Sequence, residues 1–87
     1  MVSKKVVVKN ESGLHARPAS VLAKEAMKCD CDIELIANGR SINPKSLLGI
    51  MAAAIKRGTE VEIKVTGSNE EAELQKLVEL IESGLGE

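Results

Sequence analysis

The spacing of apolar positions along this chain switches between a period of two and a period near 3.6, and each switch predicts an element. Lys4 to Lys9 reads K-K-V-V-V-K, a short β-branched run that predicts a first strand. Asn10-Glu11-Ser12-Gly13 is a polar break, and Leu14 turns back toward the core. From Ala16 the apolar residues Ala16, Ala19, Leu22, Ala23, Ala26 and Met27 recur at helical spacing, with Lys24, Glu25 and Lys28 opposite. Pro18 falls in the first turn, where a missing N–H costs nothing, but it biases Arg17 away from helical backbone, so an irregular start is expected. Asp32 to Ala37 alternates, with Ile33, Leu35 and Ala37 on one side and Asp32, Glu34 and Ile36 on the other. Asn38-Gly39 predicts a two-residue hairpin turn into a partner strand, Arg40 to Ile42.

Asn43-Pro44-Lys45-Ser46 is a breaker with a capping residue at its end. The run Leu47 to Ile55 is too apolar for a surface loop and predicts a short helix from Leu47, capped by Ser46 and ended near Lys56-Arg57-Gly58. Gly49 inside it costs about 1 kcal/mol relative to alanine. Glu60 to Thr66 alternates again, with Val61, Ile63 and Val65 inward, the mark of a sheet covered on one side. Ser68-Asn-Glu-Glu71 reads as a capping box for a last helix with the stripe Leu74, Leu77, Val78 and Ile81, closed by Gly84. The order β-α-β-β-α-β-α predicts an α+β two-layer open-faced sandwich, a four-stranded antiparallel sheet with three helices on one face. A chain of 87 residues has room for one core, so 1–87 is expected to form a single domain.

Composition narrows the functional classes. Apolar residues make up 44% of the chain and aromatic residues are absent, so the core is aliphatic and there is no stacking platform for single-stranded nucleic acid. A net charge of −1 gives no basic excess for DNA or anionic lipid. No apolar run approaches the roughly 20 residues that span a bilayer, and Met1 to Lys5 does not resemble a signal peptide, so a cytoplasmic location without membrane insertion is expected. Cys29 and Cys31 form a C-x-C pair that cannot supply four zinc ligands and would be strained as a disulfide; reduced thiols, with no metal and no cofactor, are expected.

Candidate chemistry concentrates at two predicted helix starts. His15 is the only histidine and stands at the threshold of the first helix, with Arg17 two residues on. A helix start presents unpaired N–H groups and the positive end of the dipole, so it favours an anion. Arg17 adds paired hydrogen bonds to a phosphate, Ser12 adds a hydroxyl, and a helix start keeps the imidazole neutral and nucleophilic. No second acid or base accompanies His15, which points to transfer rather than hydrolysis. Ser46 is the second candidate: an N-cap serine whose phosphorylation the helix would tolerate. Leu47, Leu48 and Met51 follow on a helix too short to bury them all, which suggests a docking patch.

The segments Ser12-Gly-Leu-His15-Ala-Arg17-Pro18-Ala, Asn38 to Met51 and Lys56-Arg-Gly58-Thr-Glu60 resemble the HPr family, the histidine-containing phosphocarriers of the bacterial sugar phosphotransferase system, and the likeness runs essentially end to end. The resemblance implies that His15 accepts a phosphoryl group on Nδ1 from enzyme I phosphorylated by phosphoenolpyruvate, and passes it to the IIA domains of sugar transporters. It implies that Arg17 orients the phosphate while the N–H groups of Ala16 and Arg17 cap it. It implies regulation at Ser46 by HPr kinase/phosphorylase, which hinders transfer and promotes binding to a catabolite-control transcription factor. Ser20, Leu47, Leu48 and Met51 match the docking surface. Pro44 departs from the pattern, which has a larger aliphatic residue there, and it fixes the backbone ahead of the Ser46 cap. The alternatives are a regulatory module acting mainly through Ser46, a nitrogen-system paralogue and a small ligand-binding α+β domain; a close match to the regulatory paralogue lacking the active histidine is not expected, because His15 is present.

Overall fold

The computed structural model describes residues 1–11 and 13–85. Strands β1 (Val2–Val7), β2 (Asp32–Ala37), β3 (Arg40–Ile42) and β4 (Glu60–Thr66) form one antiparallel sheet in the order β1-β4-β2-β3. Helices α1 (Ala16–Met27), α2 (Leu47–Ala52) and α3 (Glu70–Glu82) lie on one face, giving the expected open-faced sandwich. Val6, Ile33, Leu35, Ala37, Ile42, Val61, Ile63 and Val65 are buried beneath the helices. The other face runs through Lys5, Glu62, Ile36 and Ser41 in a cross-strand row, polar enough to stay wet.

The alternation in β2 and β4 places the same residues inward that the pattern predicts, because a period of two leaves each residue only one face. The β2–β3 hairpin turns through Asn38 and Gly39, both at positive φ (53° and 76°), the backbone of a type I′ turn. β1 is shifted from the expected Lys4–Lys9. Its register against β4 pairs Val2 with Val65 and Val7 with Glu60, so the partner sets its span. Val8 keeps two bonds beyond the strand, donating to Thr59 O at 3.0 Å and accepting from Gly58 N–H at 2.8 Å.

α1 buries Pro18, Ala19, Leu22, Ala23 and Ala26, a face narrow enough to lie close to its neighbours. Ala16 and Met27, expected inward, are exposed because they stand at the two ends of the helix. Arg17 is regular helix, so Pro18 does not distort the start. Glu25 on α1 pairs with Lys28 at 3.2 Å and Lys76 of α3 at 3.4 Å; the Lys28 hydrogen bond leads in holding its carboxyl below the ordinary carboxylate range.

Two helix boundaries also differ from expectation. α2 stops at Ala52, because Ala54 adopts a left-handed conformation (φ 50°) that breaks the helix before Lys56. α3 starts at Glu70 with Asn69 as its N-cap and no side-chain cap bond, so the predicted Ser68 capping box does not form. Glu70 instead turns back to accept from Gly67 N–H and pairs with the N-terminal ammonium at 2.9 Å. α3 ends as predicted at Gly84 (φ 90°), with Gly84 N–H bonded to Ile81 O and Leu85 N–H to Leu80 O, the paired closure of a Schellman motif.

Candidate functional site

The β1–α1 connection is held on both sides before it delivers His15. Asn10 is buried and donates from Nδ2 to Gly84 O, tying the connection to the end of the chain. Gly13 N–H donates to Asn10 O at 3.0 Å, and Leu14 N–H donates to Ile55 O at 2.8 Å. Gly13 has φ +68°, and a Cβ there would stand 2.3 Å from Ile55 O and 2.7 Å from Lys56 Cα, so only glycine permits the approach. Leu14 then plugs the core and His15 emerges exposed. Ser12, one of the expected phosphate-stabilising residues, lies outside the described residues.

His15 is the N-cap residue of α1, with extended backbone (φ −78°, ψ −170°) and no side-chain cap hydrogen bond. Its carbonyl accepts from Ala19 N–H at 2.9 Å. Pro18 has no N–H, so Ala16 and Arg17 carry the leading donors of the helix, and both residues are exposed. The first turn holds no acidic residue to compete for them. Leu14, His15 and Ala16 face Met51, Ala54, Ile55 and Lys56 across an open cleft of ≈ 250 Å³. Arg17 is exposed on the helix beside this cleft, and Ser20 is half-buried one turn further along α1. Glycine at position 13 was the readable signal for the close approach; Ile55 and Lys56 carried none.

Ser46 occupies the other end of α2. It is exposed, it is the N-cap, and its Oγ accepts from Gly49 N–H at 3.1 Å, as the sequence predicts. Pro44 is buried in a turn closed by Ser46 N–H to Asn43 O and Lys45 N–H to Asn43 Oδ1, each 3.0 Å, so the proline leaves the cap formed. Lys45 Nζ donates to the carbonyls of Cys29 and Cys31, each 3.0 Å, fastening this turn to the α1–β2 connection. The two cysteines are free and buried. Burial pushes the Cys29 thiol up to about 11, with Glu73 adding to the shift and the Cys31 N–H on its sulfur opposing it.

Between the two candidate residues, α2 presents Leu47 (39% exposed), Leu48 (80%) and Met51 (42%), while Ile50 alone is fully buried. Exposed apolar patches of this kind commonly mark interaction surfaces. Met51 belongs to both features, since it also lines the His15 cleft.

The family model for the PTS HPr component phosphorylation site matches residues 2–83. The chain belongs to the HPr family. It is 46% identical over 71 residues to the phosphocarrier protein HPr of Mycoplasma capricolum, covering 82% of this chain and 80% of that protein. It is 38% identical over 82 residues to the HPr-like protein Crh of Bacillus subtilis, covering 94% and 96%. The solution structure of Crh, described as the catabolite repression HPr, superposes with a TM-score of 0.67, 38% identity and coverage of 92% of this chain and 95% of that one. An HPr crystal structure from Thermoanaerobacter tengcongensis gives a TM-score of 0.94 at 37% identity, covering 100% of this chain and 98% of that one. The HPr fold and the phosphocarrier class therefore hold for this chain.

Proposed function

We propose that this chain acts as one phosphocarrier domain, residues 1–87, whose covalent intermediate is phosphohistidine at His15. The Nδ1 lone pair of His15 attacks the phosphorus held by phosphorylated enzyme I; a P–N bond forms as the bond to enzyme I breaks, and the departing group keeps the electron pair. The same exchange in the forward direction delivers the group to a sugar-transporter IIA domain. The observation that carries this reading is the exposed His15 at the N-cap of α1, followed by the leading N–H groups of Ala16 and Arg17 and no carboxylate in the first turn. Developing phosphoryl charge meets the helix dipole, worth about 0.3–1 kcal/mol, and the Arg17 guanidinium. The relay supplies the chemistry, so the chain is a carrier rather than an enzyme, working in the cytoplasm. No helix among the described residues is long and apolar enough to cross a membrane.

Incubation with phosphoenolpyruvate and enzyme I should give an acid-labile phosphate that His15→Ala abolishes. Persistent labelling of that variant overturns the assignment.

A second role rests on Ser46. Its exposed hydroxyl at a formed N-cap, together with the likeness to the catabolite repression HPr of Bacillus subtilis, supports phosphorylation by an HPr kinase/phosphorylase and recognition by a catabolite-control transcription factor. An added dianion there borders Leu47 and Leu48, where it would repel an acidic partner docking on α2.

A further inference from the structure

We infer that Lys56 is a second phosphate-neutralising cation at His15, closing over the phosphoryl group from the wall of the cleft opposite Arg17's helix. The inference rests on the reading of His15 as the phosphoryl acceptor. A phosphoryl group carries close to two negative charges near neutral pH, and Arg17 supplies only one positive charge. The cleft beside His15 has two walls. One is the start of α1, Leu14 to Ala16; the other is Met51 with Ala54 to Lys56. Five of these seven lining residues are apolar, the sixth is His15 itself, and the seventh, Lys56, is the only lysine or arginine among them.

Lys56 is also placed by main-chain geometry rather than by a loose loop. Leu14 N–H bonds to Ile55 O at 2.8 Å, one residue before the lysine and one before the histidine. The Gly13 backbone packs so near Lys56 Cα that a Cβ at position 13 would lie 2.7 Å from it. The Lys56 carbonyl oxygen continues into the turn by accepting from Thr59 N–H at 3.1 Å. The backbone that carries the ammonium is thus fixed to the backbone that carries the imidazole. The side chain itself is exposed and long enough to swing over a new anion. Met51, Ala54 and Ile55 on that wall offer the phosphoryl group no other charged partner, so Lys56 is the cation the wall supplies.

The test uses the intact chain phosphorylated chemically with phosphoramidate, which places the group on histidine without enzyme I and releases ammonia. In 31P NMR at low salt, Lys56→Gln should raise the pH midpoint of the phosphohistidine signal and change its proton affinity about two- to threefold. Loss of a nearby cation favours protonation whether the proton goes to the ring or to a phosphoryl oxygen. Lys56→Arg should restore the wild-type midpoint, and the difference should shrink in 0.5 M salt, where the Debye length falls to roughly 4 Å. Lys24→Gln, which removes the same charge from the far end of α1, should leave the midpoint in place. An unmoved midpoint in Lys56→Gln, or an equal shift in Lys24→Gln, overturns the inference. Failure of enzyme I to label His15 would instead overturn the phosphocarrier reading and leave the Lys56 result standing.

Discussion

Ala54 carries the least comfortable backbone near the candidate site. An L-residue in the left-handed region pays about 1–2 kcal/mol, and at φ 50° Ala54 does so to end α2 and turn Ile55 toward Leu14. Ala54→Gly should therefore raise stability by about 0.5–1 kcal/mol in urea denaturation, part of the relief being offset by the freer unfolded chain. Cys29 makes a pH prediction. Its thiol titrates near 11 when folded and near 8.5 in an unfolded chain, so folding favours the protonated form. That stability is fully present below the unfolded value and is lost as pH rises through the folded one. Between pH 8 and pH 10.5 the protein should lose about 2 kcal/mol that Cys29→Ala does not lose, measured as the difference between the two denaturation curves.

α2 separates packing from recognition within six residues. Ile50 is fully buried and anchors the helix, whereas Leu48 is mostly exposed. Ile50→Ala should cost about 2–4 kcal/mol of stability. Leu48→Ser should change stability by less than about 0.5 kcal/mol, yet weaken enzyme I binding by about 1 kcal/mol, some fivefold in Kd by calorimetry. A loss of stability in Leu48→Ser equal to that in Ile50→Ala would mean that the patch is core after all. At this scale the sequence was informative where signals were local. Ser46 was readable as an N-cap because a serine before an apolar run has one obvious partner, the N–H three residues on. The Ser68 box failed because α3 takes Asn69 rather than Ser68 as its N-cap, which moves Glu71 out of the box position, while Glu70 in the first turn is held by the Gly67 N–H and by the N-terminal ammonium 69 positions away in sequence.

Across the whole molecule, the His15 connection depends on the chain's far end. Asn10 holds Gly84 O, and Leu85 is fully buried just beyond it. Leu85→Ala should cost about 2–4 kcal/mol and loosen Asn10, Gly13 and Leu14, visible as faster amide hydrogen exchange at Gly13 and Leu14 than in the Ile50→Ala variant. The sequence by itself determined the elements that alternation or capping defines: the inward faces of β2 and β4, the Asn38-Gly39 turn, and His15 and Ser46 at helix starts. Those features are settled by neighbours within about four residues, where backbone geometry leaves few choices. Only the tertiary structure decided that β1 pairs with β4, which residues of α2 face outward, and that Ile55 and Lys56 meet Gly13 and Leu14. A six-residue helix is too short for its period to choose a face, and contacts some forty residues apart depend on how the layers close, which no local pattern records.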